Sequence, residues 1–180
     1  IAAGRDIEQV IVSDVDEAAV VAFIDRYGDH YDVREGTIEE AADCDILSTI
    51  TPVTEPIVHA VADGTHVNAI GADAAGKQEL ADEILRDATL VIDDYEQCTH
   101  SGEINVPYRS GVLTDDDIYG ELGELVAGTK EGRVPDDGVT VFDSTGLAIQ
   151  DVAAAHVVYE YADRNDNGTP FDLLGLDRRE

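Results

Sequence analysis

Residues 66–80 read HVNAIGADAAGKQEL, and this stretch indicates the fold most directly. It begins with a short, mostly apolar segment at 66–70 and runs into a loop rich in glycine and alanine. Short segments that are apolar on both faces are typical of strands buried in a parallel sheet. Comparable segments recur along the chain at 9–14, 31–33, 45–50, 89–93 and 139–143. The chain is therefore predicted to be rich in short, buried strands.

The segments between these strands carry helical patterns. Thr37, with Glu40 three residues later, forms a capping-box pattern at the start of one helix. Helices are predicted at 16–27, 37–42, 82–87, 115–127 and 149–162. Strands that alternate with helices indicate an α/β fold with a mostly parallel sheet. We predict a Rossmann-like, doubly wound domain over residues 1–162, followed by a polar tail at 163–180.

The beginning of the chain departs from the usual order of this fold. That order is a strand, a glycine-rich turn, a helix and a second strand ending in an acid, which lies about 20 residues after the glycines. Asp14 holds the position of the acid, and the sequence has no GxGxxG motif. We therefore expect the first strand and its glycine-rich loop to lie before residue 1. Without that central strand, the strands at 9–14 and 45–50 would have no shared partner.

The charge of the chain is strongly negative, because 40 Asp and Glu stand against 11 Lys and Arg, a net charge of -29. Disorder would require low hydrophobicity, whereas 43% of the residues are hydrophobic. A dedicated acidic tail would concentrate the charge, whereas here the acids are spread along the chain. The pattern instead predicts a halophilic, cytoplasmic protein whose self-repulsion is screened in molar salt, where the Debye length is about 3 Å.

The composition disfavours several classes of partner and site. A nucleic-acid partner would need a basic patch, and the only lysines are Lys77 and Lys130. No segment approaches the roughly 20 apolar residues of a membrane span. Cys44 and Cys98 form no CxxC motif, and the five histidines have no HxxxH or HExxH spacing. Neither a disulfide framework nor a metal site is therefore predicted.

Ligands of open α/β sheets bind beyond the carboxyl ends of the strands, so the residues that follow each predicted strand are candidates. Asp14 ends the first one, where an acid either accepts a hydrogen bond from a ribose hydroxyl or lies at the start of a helix. Thr49 and Thr51 lie at the end of another strand, where small side chains admit a planar ligand. Pro52 equally indicates a simple turn there, so both alternatives stay open.

The loop after 66–70 carries the strongest candidate. Gly71 and Gly76 permit a tight turn and a close approach of the backbone to a ligand. Asp73 lies between them, where a general acid or base would be held over a ligand. Most acids of so acidic a chain only solvate the surface, and on the residues alone that interpretation of Asp73 stays open.

Ser144 and Thr145 follow the last predicted strand and precede the last predicted helix. Either side chain would cap that helix or contact a ligand at its N-terminus. The polar residues at 100–105, HSGEIN, have no spacing from which a chemistry can be derived.

Four consecutive blocks of the sequence resemble one known family. They read HVNAIGADAAGKQEL, DDYEQCTHSGEINVP, IYGELGELVAGTKEGR and VTVFDSTGLAIQDVAAAHVVYE, and the resemblance covers nearly all of residues 7–162 in order. The family is the ornithine cyclodeaminase/μ-crystallin family, and the blocks are most similar to its archaeal alanine dehydrogenases. The resemblance implies a two-domain, NAD(P)-dependent enzyme, usually a homodimer, that acts on amino acids or cyclic imines.

The resemblance implies a role for each candidate residue. Asp73 matches the general acid/base beside the nicotinamide, Thr145 lies where the substrate approaches, and Asp14 matches the ribose-binding acid. The other matches are cofactor contacts, at Thr49, Thr51, Ile70, Gly71, Ala72, Lys77 and Ser144. The chain has no match to the family's glycine-rich loop. It also has none to the N-terminal substrate domain, which supplies the arginine and lysine that hold the substrate carboxylate and the main dimer contacts.

The reaction implied first is the NAD-dependent oxidative deamination of L-alanine to pyruvate and ammonia. Cyclodeamination of L-ornithine to L-proline and ammonia, and reduction of a ketimine or pyrroline, are alternatives within the family. A cofactor-binding module without activity is the alternative that is not an enzyme. Asp14 favours NAD over NADP, because it would repel a 2′-phosphate, and NADP stays open as the alternative cofactor. The expected partner is a small amino acid, and neither nucleic acid nor a membrane.

Overall fold

The computed structural model describes residues 4–134, 138–169 and 171, and the chain divides into two units, Ile1–Thr145 and Gly146–Glu180. The strands described in the first unit are β1 (Gln9–Val12), β2 (Asp32–Glu35), β3 (Ile46–Thr49), β4 (His66–Ala69), β5 (Thr89–Ile92), β6 (Ile118–Glu121) and β7 (Thr140–Asp143). Its described helices are α1 (Glu17–Tyr27), α2 (Ile38–Ala42), α3 (Asp82–Asp87), α4 (Tyr95–Ser101), α5 (Asn105–Ser110) and α6 (Leu122–Val126).

The strands form two parallel sheets. Five of them pair in the order β3-β4-β7-β5-β6, and β1 pairs with β2 in a sheet of their own. The predicted α/β fold with a mostly parallel sheet is thereby confirmed. Among the described strands, β1 and β3 do not pair with each other.

The core lies on one face of the five-stranded sheet. Alternate strand residues, among them Leu47, Val67, Leu90 and Val141, are almost fully buried and pack against helix residues such as Leu85. The residues between them are mostly half-buried, and Ser48 is exposed. The expectation that these strands are buried on both faces therefore holds for one face only.

Local capping begins the first two helices, and the sequence predicted the capping box of the second. The Asp16 side chain accepts a hydrogen bond from Ala18 N at 2.9 Å and so caps α1. Thr37 and Glu40 form both hydrogen bonds of the capping box that opens α2. The predicted helices at 16–27 and 37–42 are thus confirmed to within a residue.

The predicted helix at 115–127 is wrong. The segment instead forms a 3₁₀ turn at Asp115–Asp117, then β6, then the short helix α6. The sequence Ile-Tyr-Gly within β6 has low helix propensity. Pairing with the edge of β5, with Ile118 opposite Leu90, satisfies backbone groups that a helix would have satisfied internally.

The second unit contains the helix α7 (Ala148–Arg164), which extends two residues past the end predicted at 162. Its apolar residues Val152 and Tyr159 are exposed. Of the predicted polar tail, residues 170 and 172–180 lie outside the described residues. Within the described part of the chain, no helix is both long enough and apolar enough to span a membrane.

Candidate functional site

The carboxyl ends of neighbouring parallel strands lie side by side at one edge of the five-stranded sheet, here called the carboxyl edge. Thr49 is in register with Ala69, and Ala69 is in register with Asp143. The pairing continues past the strands, since Ile70 N donates to Thr49 O at 3.0 Å and Ser144 N donates to Ala69 O at 3.1 Å. The sheet therefore brings together the segments that follow β3, β4 and β7.

Asp73 lies on the exposed part of the loop that follows β4. Lys77 Nζ donates a hydrogen bond to Asp73 Oδ1 at 2.5 Å, and 65% of the Asp73 side chain is exposed. The same ammonium group donates to the carbonyl oxygen of Gly71 at 3.3 Å. The hydrogen bond and the charge of Lys77 lower the pKa of Asp73 below its ordinary value. Asp73 is therefore ionised at neutral pH and able to accept a proton.

Glu79 lies beneath this loop and has no exposed surface. Its Oε1 accepts hydrogen bonds from Thr51 N at 2.6 Å and from Thr51 Oγ1 at 2.7 Å, and its Oε2 accepts one from Gly71 N at 3.1 Å. A Cβ atom at position 71 would lie 2.5 Å from the Glu79 carboxyl group. Gly71 is therefore required by this close approach, whereas Gly76 is required by its left-handed backbone, with φ of 89°.

The four other cofactor-contact candidates near β3 and β4 differ in exposure. Thr49 is buried, and its Oγ1 has no hydrogen-bond partner among the described residues. The hydroxyl of Thr51, by contrast, is bonded to Glu79. Ala72 is buried and Ile70 is partly exposed at the edge. Thr49 therefore carries a buried hydroxyl without a partner among the described residues, and Ile70 presents an apolar surface at the carboxyl edge.

Ser144 and Thr145 are held at the end of β5. Ser144 Oγ donates to Asp93 Oδ2 at 2.7 Å, and Thr145 N donates to the same oxygen at 3.0 Å. Thr145 Oγ1 donates to Gln97 Oε1 at 3.3 Å. Helix α7 begins at Ala148 without a side-chain cap, so the alternative interpretation of Ser144 and Thr145 as helix caps is wrong.

Asp14 follows β1 and is exposed. Its Oδ1 accepts a hydrogen bond from Asp16 N at 2.8 Å, while Asp16 itself caps α1. The role of helix N-cap therefore belongs to Asp16. Because β1 lies in the separate two-stranded sheet, the pairings that unite the other candidates do not include Asp14.

Two buried carboxylates below the loop were not predicted as part of a site. Asp143 accepts hydrogen bonds from Glu103 N at 2.9 Å and Ile104 N at 3.1 Å. Glu103 Oε1 in turn accepts from Glu79 N at 2.8 Å and Leu80 N at 2.6 Å. Burial raises the pKa of Glu103 to about 8 and that of Asp143 to about 7.

Asn105 is a third residue that the sequence did not reveal, within the segment to which no chemistry was assigned. It has no exposed surface. Its Oδ1 accepts a hydrogen bond from Gly76 N at 2.8 Å, and its Nδ2 donates to Lys77 O at 2.8 Å. A lone asparagine gives no spacing pattern, so nothing in the sequence indicated these contacts.

A cavity of about 1090 Å³ lies at the opposite edge of the sheet. The first residues of several strands line it, among them His66, Thr89 and Thr140. In the described part of the chain, none of the predicted site residues lines this cavity. Because ligands of parallel sheets bind at the carboxyl ends, the candidate site is the carboxyl edge and not this cavity.

Known proteins resemble this chain in sequence. The model of the ornithine cyclodeaminase/mu-crystallin family matches residues 1–166. Alanine dehydrogenase of Archaeoglobus fulgidus is 51% identical over 160 residues, which are 87% of this chain and 50% of that protein. A Delta(1)-pyrroline-2-carboxylate reductase of Bacillus cereus is 33% identical over 165 residues, which are 88% of this chain and 51% of that protein. The chain thus spans about half the length of these relatives.

Solved structures resemble the chain in fold. An archaeal alanine dehydrogenase dimer with bound NAD superposes with a TM-score of 0.89 at 47% identity, covering 94% of this chain and 54% of that one. The reductase of Thermococcus litoralis, Delta(1)-pyrroline-2-carboxylate reductase in complex with NADH and L-proline, superposes with a TM-score of 0.85 at 32% identity, covering 94% and 55%. Together with the family match over residues 1–166, these similarities show that the chain belongs to the ornithine cyclodeaminase/μ-crystallin family.

Proposed function

We propose that the full-length protein is an NAD-dependent oxidoreductase that converts L-alanine to pyruvate and ammonia. The observation that carries the proposal is the ionised Asp73, held by Lys77 on an exposed loop at the carboxyl edge. The 51% identity to the alanine dehydrogenase of Archaeoglobus fulgidus supports alanine as the substrate.

The carboxyl edge fits a dinucleotide. The hydroxyl of Thr49 is buried without a partner among the described residues, which leaves one hydrogen bond open just beneath the edge on which a dinucleotide would lie. Ile70 presents an apolar side chain beside it. Relatives were solved with NAD or NADH bound. Asp14 favours NAD, because a carboxylate there would accept from the ribose and repel a 2′-phosphate.

In this proposal, Asp73 performs the proton transfers. NAD, when bound, would supply the acceptor for the hydride that leaves the substrate carbon. Water then attacks the resulting imine carbon, and the Asp73 carboxylate accepts the proton of that water. Asp73 passes that proton to the nitrogen, accepts the remaining hydroxyl proton as the carbonyl of pyruvate forms and ammonia leaves, and returns to its ionised form by releasing this proton to solvent. Lys77 keeps the carboxylate ionised and oriented, and Thr145 contacts the substrate.

Reduction of a pyrroline carboxylate is the second candidate function. The 33% identity to the Bacillus cereus reductase and the TM-score of 0.85 to the Thermococcus litoralis reductase favour it. The same edge would serve, with NADH consumed and Asp73 relaying a proton from solvent to the product.

We also propose that the protein is a cytoplasmic homodimer. The dimeric state of the archaeal alanine dehydrogenase supports the homodimer.

A substrate comparison in molar KCl tests the proposal with the full-length protein. We expect L-alanine with NAD to give NADH and pyruvate in equal amounts, while L-proline gives no NADH. NADH consumption with Delta(1)-pyrroline-2-carboxylate and no reaction of alanine would support the reductase instead. L-Ornithine converted to L-proline without net NADH would support the cyclodeaminase. NADH binding without turnover of any of these compounds would support a cofactor-binding module.

A further inference from the structure

The loop that carries Asp73 has little apolar packing of its own. Residues 73–76 are all exposed, while residues 78–81, directly after the loop, are buried. The position of the exposed part therefore depends on what holds the two ends of the loop. Two buried polar side chains do so. Glu79, directly after the loop, binds Gly71, and Asn105, from a distant segment, binds Gly76 and Lys77.

We propose that Glu79 and Asn105, here called the two loop anchors, are positioning residues that fix the loop 71–77 and with it the carboxylate of Asp73. This inference rests on the proposed function, because it assigns the anchors to the geometry of the same site. Neither anchor reaches the exposed surface, and neither is expected to touch the substrate.

Glu79 joins the ends of two neighbouring strands. Three donors, two from Thr51 and one from Gly71, converge on its two carboxylate oxygens. This arrangement suits a group that only accepts hydrogen bonds. Thr51 follows β3 and Gly71 follows β4, and both are predicted cofactor contacts. Glu79 therefore sets the distance between two segments on which a dinucleotide would lie.

Asn105 fixes the other end of the loop. It accepts from the backbone of Gly76 and donates to the carbonyl of Lys77, whose side chain holds Asp73. Its Nδ2 also donates to Gly102 O at 2.6 Å, which ties the asparagine to its own turn. The amide thus fixes the backbone from which Lys77 reaches Asp73. A hydrogen-bonded network of this kind specifies one geometry when all its members are satisfied.

Isosteric substitutions separate positioning from general stability. Glu79→Gln places an NH₂ group against an N–H donor of Gly71 or Thr51. Asn105→Asp places an oxygen against the carbonyls of Lys77 and Gly102. Thr65→Val is the matched control, because Thr65 is 1% exposed and its Oγ1 donates to Cys44 O at 2.9 Å near the opposite edge of the sheet.

The test uses the full-length protein in molar KCl and four measurements: the thermal midpoint, amide hydrogen exchange, NADH affinity by fluorescence, and kcat and KM for L-alanine and NAD. We expect faster exchange at Gly71 in Glu79→Gln and at Gly76 in Asn105→Asp. We expect kcat to fall about ten- to a hundredfold in both, as for misplaced catalytic groups. Glu79→Gln should also weaken NADH binding. Thr65→Val should lower the thermal midpoint and leave the other three quantities unchanged.

The proposal is overturned if both anchor variants keep the wild-type kcat and NADH affinity, or if Thr65→Val loses as much as they do. If Glu79→Gln does not fold, Asn105→Asp with the same control decides. A wild-type protein without turnover would contradict the proposed function. The exchange and NADH measurements would still decide whether the anchors fix the loop and the cofactor surface.

Discussion

At the scale of single residues, the site depends on an ion pair that is open to solvent. Lys77 is one of two lysines in a chain with 40 acids, and it contacts Asp73 at 2.5 Å. An exposed pair of this kind contributes little to folding stability. Its effect is expected on the ionisation and orientation of Asp73, and therefore on activity.

Replacing Lys77 by methionine should change the pH dependence of activity. Lys77 lowers the pKa of Asp73, so its removal raises that pKa and moves the acid limb of the kcat/KM profile to higher pH. Lys130→Met is the matched control, because it removes the other lysine, which lies 3.4 Å from Glu124. A Lys77→Met profile with the same acid limb as the wild type would contradict the role of the pair.

The buried carboxyls should make the protein less stable in alkaline solution. Burial raises the pKa of Glu103 to about 8 and of Asp143 to about 7, from ordinary values of 4.5 and 3.8. At a pH between the ordinary and the raised pKa, the two carboxyl groups keep their protons in the native state but lose them in the unfolded chain. The protonated groups therefore contribute to the free energy of unfolding. This contribution is fully present below the ordinary pKa values and is lost as pH rises through about 7 to 8.

We therefore expect a higher thermal midpoint at about pH 6 than at about pH 9 in the same salt. Glu103→Gln should show a smaller difference, because glutamine does not ionise. Thermal melts of the wild type and the variant, followed by circular dichroism at both pH values, measure this difference in thermal midpoint. Equal differences in wild type and variant would contradict the raised pKa of Glu103.

The sequence predicts residue roles where they follow from position along one strand. Asp73 could be predicted as a candidate because its glycine-rich loop directly follows a buried strand. Glu79 and Asn105 could not, because their roles depend on contacts across the fold, such as the one between Gly76 and Asn105, which are 29 residues apart. No periodicity encodes such a contact.

At the scale of elements, helices with local signals were predictable and the segment 115–127 was not. The caps of α1 and α2 lie within three residues of each helix start. The strand β6, by contrast, exists because β5 offers it an unpaired edge, and that edge becomes visible only in the folded sheet.

The turn between α4 and α5 should not tolerate a side chain at Gly102. A Cβ atom there would lie 2.6 Å from Asp143 Oδ2 and 2.7 Å from the backbone of Cys98. Gly102→Ala should destabilise the protein by about 1–3 kcal/mol, as overpacking does. In α6, Gly123 has no atom within 4 Å of the corresponding position, so Gly123→Ala should stabilise by about 0.5–1 kcal/mol. Denaturant unfolding measures both, and equal effects would contradict this account.

At the scale of the whole molecule, alternating strands and helices were enough to predict a parallel sheet, because few other folds accommodate that pattern. The order of the strands was not predictable in full, since β7, the last strand in sequence, lies between β4 and β5.

The net charge is the second property of the whole molecule. The 180 residues carry a net charge of -29, and at low ionic strength the repulsion between these charges destabilises the folded state.

The predicted halophilic character has a direct test. Because the Debye length grows from about 3 Å in molar salt to about 10 Å at a tenth of that concentration, self-repulsion should return on dilution. We expect the far-ultraviolet circular dichroism of a folded protein in molar KCl and its progressive loss below that concentration. A full signal in dilute buffer would contradict the prediction.

The central claim, that Asp73 performs the proton transfers of an NAD-dependent deamination, is tested most directly by alanine-dependent NADH formation in the full-length protein and its Asp73→Asn variant. Asp116→Asn, at an exposed acid in the turn before β6, is the matched control. The account predicts NADH formation by the wild type and the control, and a loss of about a hundredfold or more in Asp73→Asn, as expected for a general acid/base. Wild-type turnover in Asp73→Asn would contradict it.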